Sequence, residues 1–146
     1  KMSELLCPNN YRVGGGAGVQ ETALATAEDE AVSWVNNPYV ASCAAKIEPL
    51  IDDFSATITR NLTSAISLSQ LTSWNYLRYH AEICRRFSKI LLAGARDGID
   101  AAIERYGDLK QYLCEHELDF HNAFDVYLYL RALVQKLNIP SPELWK

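Results

Sequence analysis

The sequence predicts an all-α, single-domain protein of about six helices, and three observations predict it. Apolar residues recur at three- and four-residue intervals along most of the chain, as one buried helical face requires. Glycine, asparagine and proline punctuate the gaps between these stretches, and no stretch alternates as a half-buried strand would. At 146 residues the chain suits one core, since a chain of this length buries about two-thirds of the surface it exposes when unfolded. Hydrophobic residues make up 49% of it and charged residues 22%, the mix of an ordinary globular domain rather than a disordered or membrane-embedded one.

Residues 1–19 hold Pro8 and the run Gly14-Gly15-Gly16-Ala17-Gly18. That is much backbone freedom and little apolar surface, so a flexible arm (1–19) is expected ahead of an all-helical domain (20–146). The glycine run lacks the Gly-Lys-Ser/Thr ending of a phosphate loop and follows no strand. Residues 21–35, rich in alanine and with their acids early, form a helix stopped by Asn36-Asn37-Pro38. A second helix begins near Pro38, carries Ile47, Leu50, Ile51, Phe54, Ile58 and Leu62 on one face, and kinks or breaks at Pro49. A loop over 67–69 leads to the most strongly patterned helix, 72–93. It has Trp74, Leu77, Ala81, Cys84 and Leu91 near one face, Ile83, Phe87 and Ile90 widening that face, and Gly94 closing it. Two shorter helices, 98–106 and 108–117, follow on either side of Gly107. The last helix starts behind Asp119 as N-cap, carries Phe120, Phe124, Tyr127, Leu128, Leu130, Val134 and Leu137, and ends at Asn138 and Pro140. Tyr129 lies off that face, and an exposed Tyr129 would favour an assembly surface.

Charge and cysteine usage narrow the partners. A formal net charge of −4 argues against nucleic acid, whose binding needs a positive surplus to displace counterions. No run of eighteen apolar residues calls for membrane insertion, and residues 1–12 contain no signal-peptide core. Cys7, Cys43, Cys84 and Cys114 are widely spread, which reads as reduced thiols in a cytoplasmic protein. Asn61-Leu62-Thr63 matches a glycosylation triplet but falls inside an expected helix.

Three groupings could carry chemistry. His80 and Cys84 share a helix face and could join Cys114 and His116 around zinc, but neither half has Cys-x-x-Cys spacing, and no metal is expected. Cys84 beside His80, Arg85 and Arg86 is the one local grouping able to lower a thiol pKa. With no oxyanion loop and no paired carboxylates beyond Asp52-Asp53, the protein is expected not to be an enzyme. The most suggestive feature is a basic stripe of Arg78, Arg85, Arg86 and Lys89, with Tyr76 and Tyr79 beside it. Guanidinium forks next to aromatic rings can hold a flat, anionic, conjugated ligand. The same residues can equally form a solvated face paired with acidic neighbours.

The stretch Tyr76-Leu77-Arg78-Tyr79, then Arg85-Arg86-Phe87, then Leu91-Leu92-Ala93-Gly94 resembles the central helix of the phycobiliproteins, the bilin-carrying antenna proteins. That helix has a Cys-Leu-Arg-Asp motif, an arginine followed by an aromatic residue, and a closing Ala-Gly. The likeness continues through 99–112 and 123–133 and covers about half the chain. It implies a globin-like fold that binds a bilin, a linear tetrapyrrole, or an antenna partner. The implied ligand-binding residues are Tyr76, Arg78, Tyr79, Cys84 and Arg85, of which Arg78 carries over directly. Tyr76 stands where the attaching cysteine belongs and Tyr79 where the aspartate belongs. Cys84, eight residues on and about 80° round the helix, does not simply replace the missing thiol. The alternative expectation is a helical interaction or assembly module that self-associates or binds a protein partner without a small-molecule ligand.

Overall fold

The computed structural model describes residues 34–120 and 125–139 of the chain, and among them there is no strand. The helices are α1 (Pro38–Ala45), α2 (Ile47–Ser64), α3 (Leu68–Asp97), α4 (Ile99–Glu115), the single turn α5 (Glu117–Phe120) and α6 (Val126–Leu137). The all-α expectation holds. The arm expected over 1–19, most of the helix expected over 21–35, and Phe124 and Pro140 lie outside the described residues.

Each boundary has a local cause. Asn37 caps α1, its Oδ1 accepting from the N–H groups of Tyr39 at 3.0 Å and Val40 at 3.3 Å, and Pro38 fills the first helical position, where an N–H has no partner anyway. The break expected at Pro49 falls earlier, at Lys46. A continuous helix would need the Pro49 N–H to bond the Ala45 carbonyl, so the chain stops one turn before the proline, which then sits harmlessly in the first turn of α2. α3 begins at Leu68 rather than near residue 72. Ser67 Oγ accepts from Gln70 N–H at 3.2 Å, while Gln70 Oε1 accepts from Ile66 N–H at 3.0 Å, a reciprocal arrangement close to a capping box.

Two glycines behave differently from expectation. Gly94 lies inside α3, and the helix runs on to Asp97. It is glycine because the Trp34 ring presses on its Cα, and an added Cβ would overlap that ring. The helix ends at Gly98, whose φ of 94° is a conformation most side chains resist. Gly107 does not divide α4, which is continuous. An added Cβ there meets nothing, so Gly107→Ala is expected to raise the unfolding free energy by about 0.5–1 kcal/mol through helix propensity and a stiffer unfolded chain. Urea denaturation would check this.

The 30-residue α3, about 45 Å long, is the spine. Its C-terminal half packs against α4, and α6 lies against α4. Together they bury Ile83, Ile90, Leu109, Leu113, Leu130 and Leu133 in the main core. Its N-terminal half runs beside α2 around a smaller cluster of Ile47, Ile51, Ile58 and Ala81, with Leu62, Trp74 and Cys84 at its margin. The chain before α1 is clamped onto this frame: Trp34 Nε1 donates to the Leu137 carbonyl at 3.0 Å, and Asn36 N–H donates to the Gly94 carbonyl at 2.9 Å.

The predicted faces need correction at several positions. Leu50, Phe54 and Leu77 are exposed rather than buried. The N-cap of the last described helix is Asp125, which accepts from Leu128 N–H at 2.9 Å, not Asp119. Its buried face is Val126, Leu130, Leu133 and Leu137, so Leu128 and Tyr127 point to solvent while Tyr129 is partly buried against the core. Starting the helix six residues later changed which side chains its inner face collects.

Candidate functional site

The middle of α3 places the basic and aromatic residues, and the structure sorts them by neighbour. Arg85 turns toward α2: its Nη1 lies 2.7 Å from Asp52 Oδ1, its Nη2 donates to Ser55 Oγ at 3.4 Å, and its Nε is 3.6 Å from Glu82. Arg86 turns toward α4. Its Nε forms an ion pair with Glu82 at 2.8 Å without the alignment of a hydrogen bond, and its guanidinium lies 4.6 Å over the Tyr112 ring. The stripe therefore divides, one arginine to each flanking helix. Of these ion pairs only Arg85–Asp52 joins two helices, and partly exposed as it is it is worth up to about 1 kcal/mol; Arg86 reaches α4 through the Tyr112 ring and a 3.4 Å hydrogen bond from its Nη1 to the Asp108 carbonyl.

Arg78 is placed differently. It is exposed and lies 5.2 Å over the Tyr79 ring, with no carboxylate at ion-pair distance among the described residues. Tyr76 is at the surface of the same helix, about one-third exposed, but two residues from Arg78 it projects from a different face. Tyr79 donates its hydroxyl to Asp119 Oδ2 at 2.9 Å, and burial followed by that hydrogen bond pushes the phenol pKa up. Cys84 sits at the margin of the smaller cluster, its Sγ 3.6 Å from His80 Nε2. Burial pushes its thiol pKa up, the opposite of the shift that activates a nucleophile.

Sequence reasoning missed His116, Tyr112 and Asp119 as parts of one assembly. The His116 ring lies 5.4 Å from that of Tyr79 and 4.6 Å from that of Tyr112, so the rings of Tyr79, His116 and Tyr112 form a ladder with the Arg78 guanidinium at one end and that of Arg86 at the other. Burial pushes the Tyr112 phenol up to about 12. Asp119 closes the ladder from α5, its Oδ2 3.0 Å from His116 Nδ1 as well as bonded to Tyr79. His116 and Cys114 do not join His80 and Cys84, and among the described residues no three His, Cys, Asp or Glu side chains converge on a metal-sized point.

The Asp119 carboxyl is held below its ordinary value of 3.8 by hydrogen bonds from His116 and then Tyr79. A carboxylate with a lowered folded pKa contributes stability that is complete above the unfolded value and fades as pH falls through the folded one. Acidification below 3.8 is expected to release α5 from Tyr79, and Asp119→Asn is expected to abolish that acid step. The Tyr79 ring resonances followed by NMR would show it.

A second surface lies at the far end of the α2–α3 hairpin. Ile66 is 91% exposed and Leu68 80%, with Leu71 and Leu77 also at the surface. There is no charged residue between Arg60 and Arg78, a stretch that makes the whole turn and the adjoining helix ends. In the sequence the region reads as a short loop over 67–69 between two helices. No family model matches this chain, and no curated protein or solved structure matches it.

Proposed function

We propose that the protein is a non-enzymatic helical interaction module that acts by assembling with protein. The observation that carries this reading is the uncharged, apolar end of the α2–α3 hairpin. Interface centres are depleted of charge, and a solvent-facing helical surface ordinarily is not. It is supported by the pairing of Arg85 and Arg86 with acids and a ring of the same chain, which uses both guanidinium groups within the fold. The free thiols of Cys43, Cys84 and Cys114 support a reducing, cytoplasmic setting. Light scattering tests the reading: a defined particle heavier than the 16.4 kDa chain is expected, and a monodisperse monomer over a wide concentration range counts against it.

A second reading is favoured by Arg78, exposed on the Tyr79 ring with no acid paired to it among the described residues. In that reading the domain is phycobiliprotein-like and globin-like. Arg78 would receive a carboxylate of a linear tetrapyrrole, Tyr76 and Tyr79 would flank the conjugated system, and Cys84 and Arg85 would lie further along the helix. Visible absorbance after incubation with a bilin tests it. A spectral change lost in Arg78→Glu is expected, and an unchanged spectrum at micromolar bilin removes the pigment.

A further inference from the structure

We propose that Arg78, Tyr79 and His116 form a carboxylate receptor that Asp119 occupies in cis, and that α5 leaves it when an acidic segment of a partner protein brings a carboxylate in its place. The proposal deepens the assembly reading above and rests on it only in taking the occupant to be protein.

The group now seated there shows the chemistry the receptor takes. Two donors from different helices converge on one oxygen: Tyr79 Oη donates to Asp119 Oδ2 at 2.9 Å, and His116 Nδ1 lies 3.0 Å from the same atom. Neither donor depends on α5 for its place. Tyr79 belongs to the spine, His116 caps α4, and the His116 ring lies against those of Tyr79 and Tyr112, so the packing of α3 on α4 sets both. Burial pushes the Tyr79 phenol pKa up, which keeps its proton available to an anion.

The fit of Asp119 is incomplete, and that points to a second occupant. Both bonds fall on Oδ2, although a carboxylate has two oxygens to offer. The Arg78 charge helps to hold the Asp119 carboxyl down, after the hydrogen bonds from His116 and Tyr79, yet Arg78 has no carboxylate at ion-pair distance among the described residues. Asp119 is tied three residues from His116, which restricts how it can turn. A carboxylate free of that tether can keep the two bonds and give its other oxygen to the guanidinium.

α5 is suited to leave. It is a single turn, too short to be stable as a helix by itself, and its Leu118 is 84% exposed. Its departure removes Glu117 and Asp119 together. The ladder then holds Arg78 and Arg86 against Glu82, which Arg85 and Arg86 already engage, so an incoming acidic segment meets net positive charge. The sequence Glu117-Leu118-Asp119-Phe120 is itself a short acidic segment and serves as the probe.

Titration of the full chain with the capped tetrapeptide of residues 117–120, followed by NMR at the Tyr79 ring, tests the receptor. Asp119→Ala changes a side chain that is 46% exposed, so circular dichroism should show the variant folded. It is expected to bind the peptide at least about tenfold more tightly than wild type, because a tethered competitor acts at an effective concentration on the order of millimolar. Adding Arg78→Gln is expected to remove the gain, as is asparagine in place of the peptide's aspartate. Equal binding by wild type and Asp119→Ala overturns the receptor, and so does a gain indifferent to Arg78. An equal response to acetate at the same concentration overturns the protein occupant, since a free carboxylate would then suffice. A chain that assembles in light scattering, but whose Asp119→Ala variant takes no peptide, overturns the receptor and leaves the assembly reading standing.

Discussion

Leu109→Ala is expected to lower the unfolding free energy by about 2–5 kcal/mol, the range for removing a large aliphatic side chain from a packed core. Leu109 has no exposed surface and lies in the cluster where α3, α4 and α6 meet. The helices around it are tied by further buried contacts, Tyr106 and Leu113 among them on α4 itself, so the site has little freedom to collapse into the vacated volume. The loss reaches a large fraction of the stability of a domain this size. Urea denaturation would measure it, and a loss under about 1 kcal/mol would mean that the α4 face packs less tightly than the structure shows.

Gly94→Ala is expected to destabilise by about 1–3 kcal/mol, the cost of overpacking, although alanine is the better helix former. The sign follows from Trp34. An added Cβ overlaps the Trp34 ring, and that ring cannot simply swing away, because its Nε1 is bonded to the Leu137 carbonyl and the next turn of chain is bonded to the Gly94 carbonyl itself. The same substitution at Gly107, which faces open space, is expected to stabilise. Opposite signs for one chemical change at two helical glycines separate steric closeness from propensity. Thermal unfolding of both variants side by side would show it, and a stabilised Gly94→Ala would contradict the close approach of Trp34.

These two positions also show what the chain makes legible and what it hides. Helical periodicity alone places Ile47, Ile51, Ile58, Ile83 and Ile90 in the interior, because period 3.6 is a local property. Glycine is ambiguous locally. Gly94, Gly98 and Gly107 read alike as helix ends, yet one accommodates a ring from far along the chain, one adopts a positive φ and one has no special role. The start of α3 was legible through Ser67 and Gln70, whose spacing fits a reciprocal cap, but the apolar pattern of 72–93 drew the boundary inward. Asp119 was expected to cap the last helix, and nothing local shows that it is instead held by a tyrosine 40 residues away while Asp125 takes the cap.

The candidate site divides in the same way. Arg78 and Tyr79 were legible as a cation beside a ring because they are adjacent. The ladder through His116 and Tyr112 was not, because it joins α3 to α4 across a distance that sequence spacing does not encode. Arg85 looked like part of one basic stripe until α2 brought Asp52 to it. The hairpin end was overlooked for another reason. Charged residues draw the eye to candidate chemistry, and there are none between Arg60 and Arg78.

Isotope-filtered NMR on a mixture of labelled and unlabelled chains tests the assembly most directly, because it reports contacts between copies and no others. Intermolecular contacts to the methyl groups of Ile66, Leu68 and Leu71 are expected. Contacts confined to the exposed Leu118 and Leu128, or none at all, would contradict the account.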